Sequence, residues 1–217
     1  MNFKGRALYL IGPRTVELRE QTLPPPPRDR AVVEVLGCAL CPTDRGLYAG
    51  TTQAGHPLPL VLGHQTIGRV LLAWERFGHL VGRPVLVPAR VPCGACPACR
   101  GDHPLECAAP QRLGCDLPGG FATHMSVPAC CLIRVEDAPP VFDLRELAPL
   151  VDFAATGGCE LTGGAEPLHP PAAHLALLCQ ALEKPSRAGV RMFALADLPQ
   201  LLERELPDGC AIVDPKL

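Results

Sequence analysis

The sequence predicts a mainly β protein with a few helices: a partly open β-barrel that carries a helical C-terminal segment. Three observations lead there. Short apolar runs punctuated by Gly and Pro recur as far as Val135. The 217 residues include 26 Pro and only 4% aromatics, so the core must be assembled from Val, Leu, Ile and Ala between Pro-rich turns. From about Pro140 the texture shifts to helix-like spacing.

Residues 4–20 loosely alternate through Ala7, Tyr9, Ile11, Val16 and Leu18, and the break at Gly12-Pro13 predicts a hairpin. The run Pro24 to Pro27 is a stiff connector. Residues 31–36 (AVVEVL) form the next strand and lead into Gly37-Cys38-Ala39-Leu40-Cys41-Pro42-Thr43-Asp44. A further apolar run, 59–62, stops at Gly63-His64 and resumes as a strand, and 85–87 extends the sheet. Residues 119–127 and 131–135 are two more short strands on either side of Pro128. Beyond them, 144–155 is a helix candidate with Asp143 as N-cap and Glu146 at its third position, opposed by Pro149. Residues 171–184 carry the clearest helical pattern, 195–205 a shorter one interrupted by Pro199, and 210–213 a closing strand.

The most regular motif is CGACPACRGDHPLEC, residues 93–107. Cys93, Cys96, Cys99 and Cys107 follow C-x2-C-x2-C-x7-C, a spacing that lets one loop place a thiolate on each corner of a tetrahedral zinc ion. Two disulfides or four unrelated thiols are the alternatives, and the regular spacing favours the metal. A closed four-thiolate site has no open position, so its ion is structural. The net charge of -2 and the lack of a Lys/Arg cluster argue against nucleic acid as a partner. No apolar run approaches the ~18 residues of a membrane span, and the amino terminus lacks the pattern of a leader. A cytoplasmic protein with all 12 cysteines reduced is therefore expected.

A reactive zinc needs an open position beside about three protein ligands. Cys41 and His64 are the candidate pair, each at a turn that follows an apolar strand. Taken singly, either residue is more often structural than ligating.

Read together, residues 37–44 with Gly46 and Gly50, residues 59–64, the four-cysteine loop and Gly119-Gly120-Phe121-Ala122 resemble the zinc-dependent medium-chain dehydrogenases. That family includes the alcohol, sorbitol and threonine dehydrogenases, and its catalytic domain is GroES-like. The resemblance covers roughly the first 155 residues. It implies that Cys41 and His64 are ligands of a catalytic zinc, that the Thr43 hydroxyl touches the substrate oxygen, and that Asp44 orients a ligand. It places a third ligand after the barrel, where Asp152 is the choice and Cys159 and Glu160 compete. The implied cofactors are two zinc ions per chain, one structural and one catalytic.

The sequence departs from the family in three places. Gln65 stands where the family has Glu after the ligand His, and Gly46 where alcohol dehydrogenases often have a relay His, leaving Tyr48 or His56 to assist Thr43 in proton transfer. No strand followed by G-x-G-x-x-G announces a nicotinamide-binding Rossmann domain, and the glycines at 157, 158, 163 and 164 do not fit that fingerprint. Residues 193–203 and the closing strand nevertheless resemble the family's own carboxyl terminus. The expected organisation is a GroES-like catalytic domain over 1–155, a bridging loop and helix over 156–190, and a returning helix and strand over 191–217. NAD(P) is not expected. Without a cofactor to accept hydride, the expected chemistry is that of a Lewis-acid zinc on a small oxygenated substrate. The alternatives are an oxidoreductase whose nicotinamide is supplied by a partner or bound in a new way, and a zinc-stabilised binding protein. A homodimer or a partner subunit is the occupant that the exposed zinc cleft would suit.

Overall fold

A computed structural model describes residues 1–52, 57–101, 103–135, 143–151, 190–204 and 210–217. Strands β1 (Phe3–Gly12) and β2 (Thr15–Leu23) form the antiparallel hairpin that Gly12-Pro13 predicts, in register from Phe3 opposite Leu23 to Gly12 opposite Thr15. A short strand, β4 (Leu60–Val61), joins the other side of β1.

The larger sheet is built on β3 (Arg30–Ala39), whose residues are nearly all buried. It pairs antiparallel with β5 (Gln65–Ala73), which pairs with β6 (Pro84–Val87), which pairs with β10 (Ile133–Arg134). On its other side β3 takes β9 (His124–Pro128) along its first half and β12 (Cys210–Asp214) at its end. Strand β11 (Val190–Ala194) runs parallel to β12 at the sheet edge. Strands β7 (Arg90–Val91) and β8 (Gln111–Arg112) pair across the base of the cysteine loop. The described strands thus lie in three sheets, mainly β as expected, and none of these sheets closes into a barrel.

Two apolar clusters explain why β3 tolerates so little polarity. The main core gathers Leu8, Val33, Val35, Leu62, Val70, Phe121 and Val127. A second cluster joins Ala39, Ile67, Leu86, Ile133, Ala148 and Val151. A strand packed between two apolar layers must read as a continuous apolar run, as AVVEVL nearly does.

The structure differs from the sequence reading in four elements. Helix α1 (Pro42–Ala49) occupies a stretch read as a turn; it starts with Pro at its first position and ends on Gly50 at φ 75. Residues 119–123 touch β1 through a single bridge, Ala7 to Ala122, because Gly119 and Gly120 pack directly on Gly63 and Thr66 instead of pairing as a strand. The stretch 144–150 forms a 3-10 helix; Asp143 caps it as expected by accepting from the Arg145 N–H, and Pro149 lies inside it. Proline has no N–H to donate to an α-helical ladder, and this opposes the longer α-helix. Strand β11 was not expected. The helix read over 171–184 and residues 152–155 lie outside the described residues.

The described C-terminal elements pack against the strands that precede them in the chain. A 3-10 turn at Leu195–Asp197 leads into helix α3 (Leu198–Glu203), following the one-turn α2 (Pro97–Arg100) in chain order. Leu195, Leu198, Leu201 and Leu202 join the main core. Arg145 bonds Asp143 and, at 2.5 Å, Asp214 at the end of β12, while Lys216 pairs with Glu34 at 2.7 Å. No helix among the described residues is long and apolar enough to cross a membrane.

Candidate metal centres

The register of β3 against β5 brings the two predicted ligands together. Ala39 lies opposite Gln65, so two residues further along one strand, and one residue before the other, the chains cross at Cys41 and His64. The backbone of Leu40 is held from the far side, its N–H donating to Ala211 O at 2.9 Å. Cys41 Sγ lies 3.2 Å from His64 Nε2, and both residues are buried.

Asp44 fixes this arrangement. It is fully buried on the first turn of α1 and accepts from the Cys41 N–H at 3.0 Å and from the Gly63 N–H at 3.1 Å. Its Oδ1 also stands 3.4 Å from His64 Nδ1. A carboxylate so placed favours a proton on Nδ1 and leaves the Nε2 lone pair facing Cys41. Cys41, Asp44 and His64 offer ligand atoms within 4.8 Å of one another. Both Asp44 oxygens are already engaged away from Nε2, so the carboxylate orients and the thiol and imidazole face the candidate ion. Thr43, beside them on α1, is exposed.

Gly63 permits the close approach. Its φ is 93, and a Cβ there would sit 2.8 Å from Cys38 Sγ and 2.9 Å from Phe121 N. Cys38 and Thr66 back the site, the Thr66 hydroxyl donating to Cys38 Sγ at 3.3 Å, and burial pushes the Cys38 thiol well above its ordinary range. Local pattern gives neither residue a role, although their places opposite each other in β3 and β5 follow from the register.

Helix α1 is tied to α3 through Tyr48 and Arg45. The Tyr48 hydroxyl donates to Glu203 at 3.1 Å, and burial together with Glu203 raises its pKa. The Arg45 guanidinium donates to the Leu202 and Arg204 carbonyls at the end of α3. Tyr48 is thus a pin between helices. His56, Asp152, Cys159 and Glu160 lie outside the described residues.

The cysteine loop converges as its spacing predicts. Cys96 Sγ is 3.5 Å from Cys99 Sγ and 3.8 Å from Cys107 Sγ, and Cys93 Sγ is 4.0 Å from Cys99 Sγ. A tetrahedral ion with Zn–S bonds of about 2.3 Å requires sulfurs about 3.8 Å apart, so the donor set fits zinc. Backbone N–H groups of Ala95 and Cys96 point at Cys93 Sγ, and that of Cys93 at Cys107 Sγ. Those from Ala95 and Cys96 lower the Cys93 pKa, and N–H donation from Cys99 draws Cys96 down to about 6; burial instead pushes Cys99 up to about 12. Cys93, Cys96, Cys99 and Cys107 are free thiols, as are Cys38 and Cys41.

Residues 27–137 match the family model of the alcohol dehydrogenase GroES-like domain. The chain belongs to that family. It is 30% identical over 138 residues to an L-threonine 3-dehydrogenase of Xanthomonas oryzae, matching 62% of this chain and 39% of that protein. It is also 30% identical over 155 residues to an uncharacterized zinc-type alcohol dehydrogenase-like protein of Haemophilus influenzae, matching 69% of this chain and 44% of the relative. The chain thus spans about two fifths of the length of these curated relatives. In fold it is similar to a cobalt- and zinc-bound thermostable alcohol dehydrogenase from Pyrobaculum aerophilum, with a TM-score of 0.73 and 17% identity over 98% of this chain and 100% of that one. A D-arabinose dehydrogenase from Sulfolobus solfataricus gives a TM-score of 0.59 at 23% identity, covering 93% of this chain and 57% of that one.

Proposed function

We propose that this zinc-type alcohol dehydrogenase-like chain holds two zinc ions, a structural one in the cysteine loop and an open one at Cys41 and His64, and that the open site works on a small oxygenated substrate. The observation that carries the reading is the Cys41 to His64 approach with Asp44 behind the imidazole. Asp152 is the proposed third ligand: Val151, its neighbour in sequence, shares an apolar cluster with Ala39, two residues ahead of Cys41. Zinc bound there would supply a Lewis acid for an alcohol or carbonyl oxygen. The residues around it divide the remaining tasks. Asp44 holds His64 and Gly63 lets the two turns close, and the proton-transfer role proposed for the Thr43 hydroxyl is supported by its exposure next to Asp44 in sequence.

Zinc has no redox chemistry, and the sequence carries no G-x-G-x-x-G turn for a dinucleotide. Hydration, dehydration, hydrolysis or enolisation therefore suits the site better than self-sufficient hydride transfer. The L-threonine 3-dehydrogenase relatives favour a second reading, in which a nicotinamide is held by a partner or across a dimer. Calorimetric titration with NAD(H) and NADP(H), alone and with candidate partners, separates the two; heat of binding selects the second.

Metal content tests the core of the proposal. Two zinc per wild-type chain should fall to one in Cys41→Ser and in His64→Ala, with the cysteine-loop ion retained. A wild-type chain that holds one zinc contradicts it.

A further inference from the structure

Cys41 stands at a junction: β3 ends two residues before it and α1 begins one residue after it. The C-terminal segment of the chain grips both flanks. On the strand side, β12 pairs with the last residues of β3, Ile212 opposite Ala39 and Val213 opposite Cys38, and the Leu40 N–H donates to the Ala211 carbonyl at 2.9 Å. On the helix side the bonds come from Arg45 and Tyr48, three residues apart and so on one face of α1.

Arg45 is joined to the ligand residue at one end and to α3 at the other. Its backbone N–H donates to the Cys41 carbonyl at 3.4 Å, closing the first turn of α1. Its Nη1 donates to the Leu202 carbonyl at 3.4 Å and to that of Arg204, groups that the end of a helix leaves without an intrahelical partner. Its Nη2 is buried with no hydrogen-bond partner among the described residues. A stranded buried donor opposes folding, which makes stability alone a poor account of Arg45.

An eight-residue helix has little stability of its own, so the elements it packs against set its position. His64 comes from another part of the fold, the residue before β5, and its Nε2 must meet Cys41 Sγ at 3.2 Å. A shift of α1 would move Cys41 and Asp44 relative to the imidazole.

We infer that Arg45 is a positioning residue of the open metal site: by locking α1 to α3 it holds Cys41 at the distance from His64 that a metal ion requires, with Tyr48 as the second fastening. The C-terminal segment thereby belongs to the site, although none of its described residues lies in the ligand cluster. The role of Arg45 rests on Cys41 and His64 being zinc ligands, and the two claims fail in different ways.

The full chain is loaded with zinc and titrated with a chelator of known affinity, which reads the open site and the cysteine loop in one sample. Arg45→Met keeps the length of the side chain and removes its donors. It should weaken zinc at the open site by about tenfold, the low end of the loss when a ligand's support is removed, and leave the cysteine-loop ion unchanged. Arg45→Lys should recover most of that loss, because one ammonium nitrogen can serve the two carbonyls that Nη1 serves. Tyr48→Phe should weaken the open site by about threefold, and it decides the matter if Arg45→Met does not fold. Val127→Ala truncates the main core in β9, beside the first half of β3, and should lower the urea midpoint without altering open-site affinity. A wild-type chain with one zinc overturns the metal reading and the role of Arg45 with it. With two zinc ions in the wild type, the role of Arg45 alone is overturned if open-site affinity is unchanged in Arg45→Met, or in Tyr48→Phe where Arg45→Met does not fold. It is likewise overturned if Arg45→Lys recovers nothing, if both sites weaken equally, or if Val127→Ala weakens the open site as much.

Discussion

Asp44→Asn probes the metal centre with the least change of shape. Asp44 is fully buried, and its two oxygens accept from Cys41 N–H and Gly63 N–H while Oδ1 faces His64 Nδ1. Asparagine has one acceptor oxygen. If that oxygen keeps the Gly63 and His64 side, its amide NH2 is turned toward the Cys41 N–H, and one bond is lost with a donor stranded. A hydrogen bond to a charged group contributes about 1.5–3 kcal/mol, and a stranded buried donor costs about 1–3 kcal/mol. These overlap, so a loss of about 2–4 kcal/mol of folding stability is expected. The imidazole also loses its charged partner, and disturbing such an orienting group lowers metal affinity about 10–100-fold. Urea unfolding reads the first quantity. Competition with a chelator of known affinity, applied to a chain whose cysteine-loop zinc is retained, reads the second. Unchanged zinc affinity at Cys41 and His64, with stability within about 0.5 kcal/mol of wild type, would refute the role given to Asp44.

Other consequences follow from the same contacts. Gly63→Ala meets both a positive φ and contacts below 3.0 Å with Cys38 Sγ and Phe121 N, so it should lower stability by about 1–3 kcal/mol and displace His64; a fall in both urea midpoint and open-site zinc is the expected result. Cys107→Ser removes one corner of the loop site, and because structural zinc binding adds directly to folding, zinc content should drop by one and Tm should fall, as differential scanning calorimetry with metal analysis would show. Hydrogen bonds from Arg145 hold the Asp143 carboxyl below its ordinary range, so the stability it contributes is present above about pH 4 and is lost as pH falls through its folded value. The Tm difference between wild type and Asp143→Asn should accordingly be steady near neutrality and shrink in acid; a gap that stays constant down to acid pH would contradict the Arg145 bond as its cause.

The parts of this molecule legible in the sequence are those set by local chemistry. The first hairpin was readable because Gly12-Pro13 interrupts two alternating runs, and the cysteine loop because its four ligands lie within fifteen residues and need no distant partner. Cys41 and His64 are different. Each is unremarkable alone, and only the β3–β5 register, with Ala39 opposite Gln65, makes them neighbours; the family resemblance supplied what local pattern could not. Helix α1 is signalled by Pro42 at its start, Asp44 in its first turn and Gly50 after its end, but its eight residues are too few for a helical period to stand out. Residues 119–123 were misread for the opposite reason: their glycines serve a tertiary contact with Gly63, which no local period records. Strand β11 is short and pairs with β12, sixteen or more residues later in the chain, so nothing nearby in sequence marks it.

Anomalous diffraction at the zinc edge from crystals of the metal-replete chain tests the central claim most directly. Two peaks are expected, one among the sulfurs of Cys93, Cys96, Cys99 and Cys107 and one bonded to Cys41 Sγ and His64 Nε2. A single peak in the cysteine loop, with Cys41 and His64 bound only to each other, would contradict it.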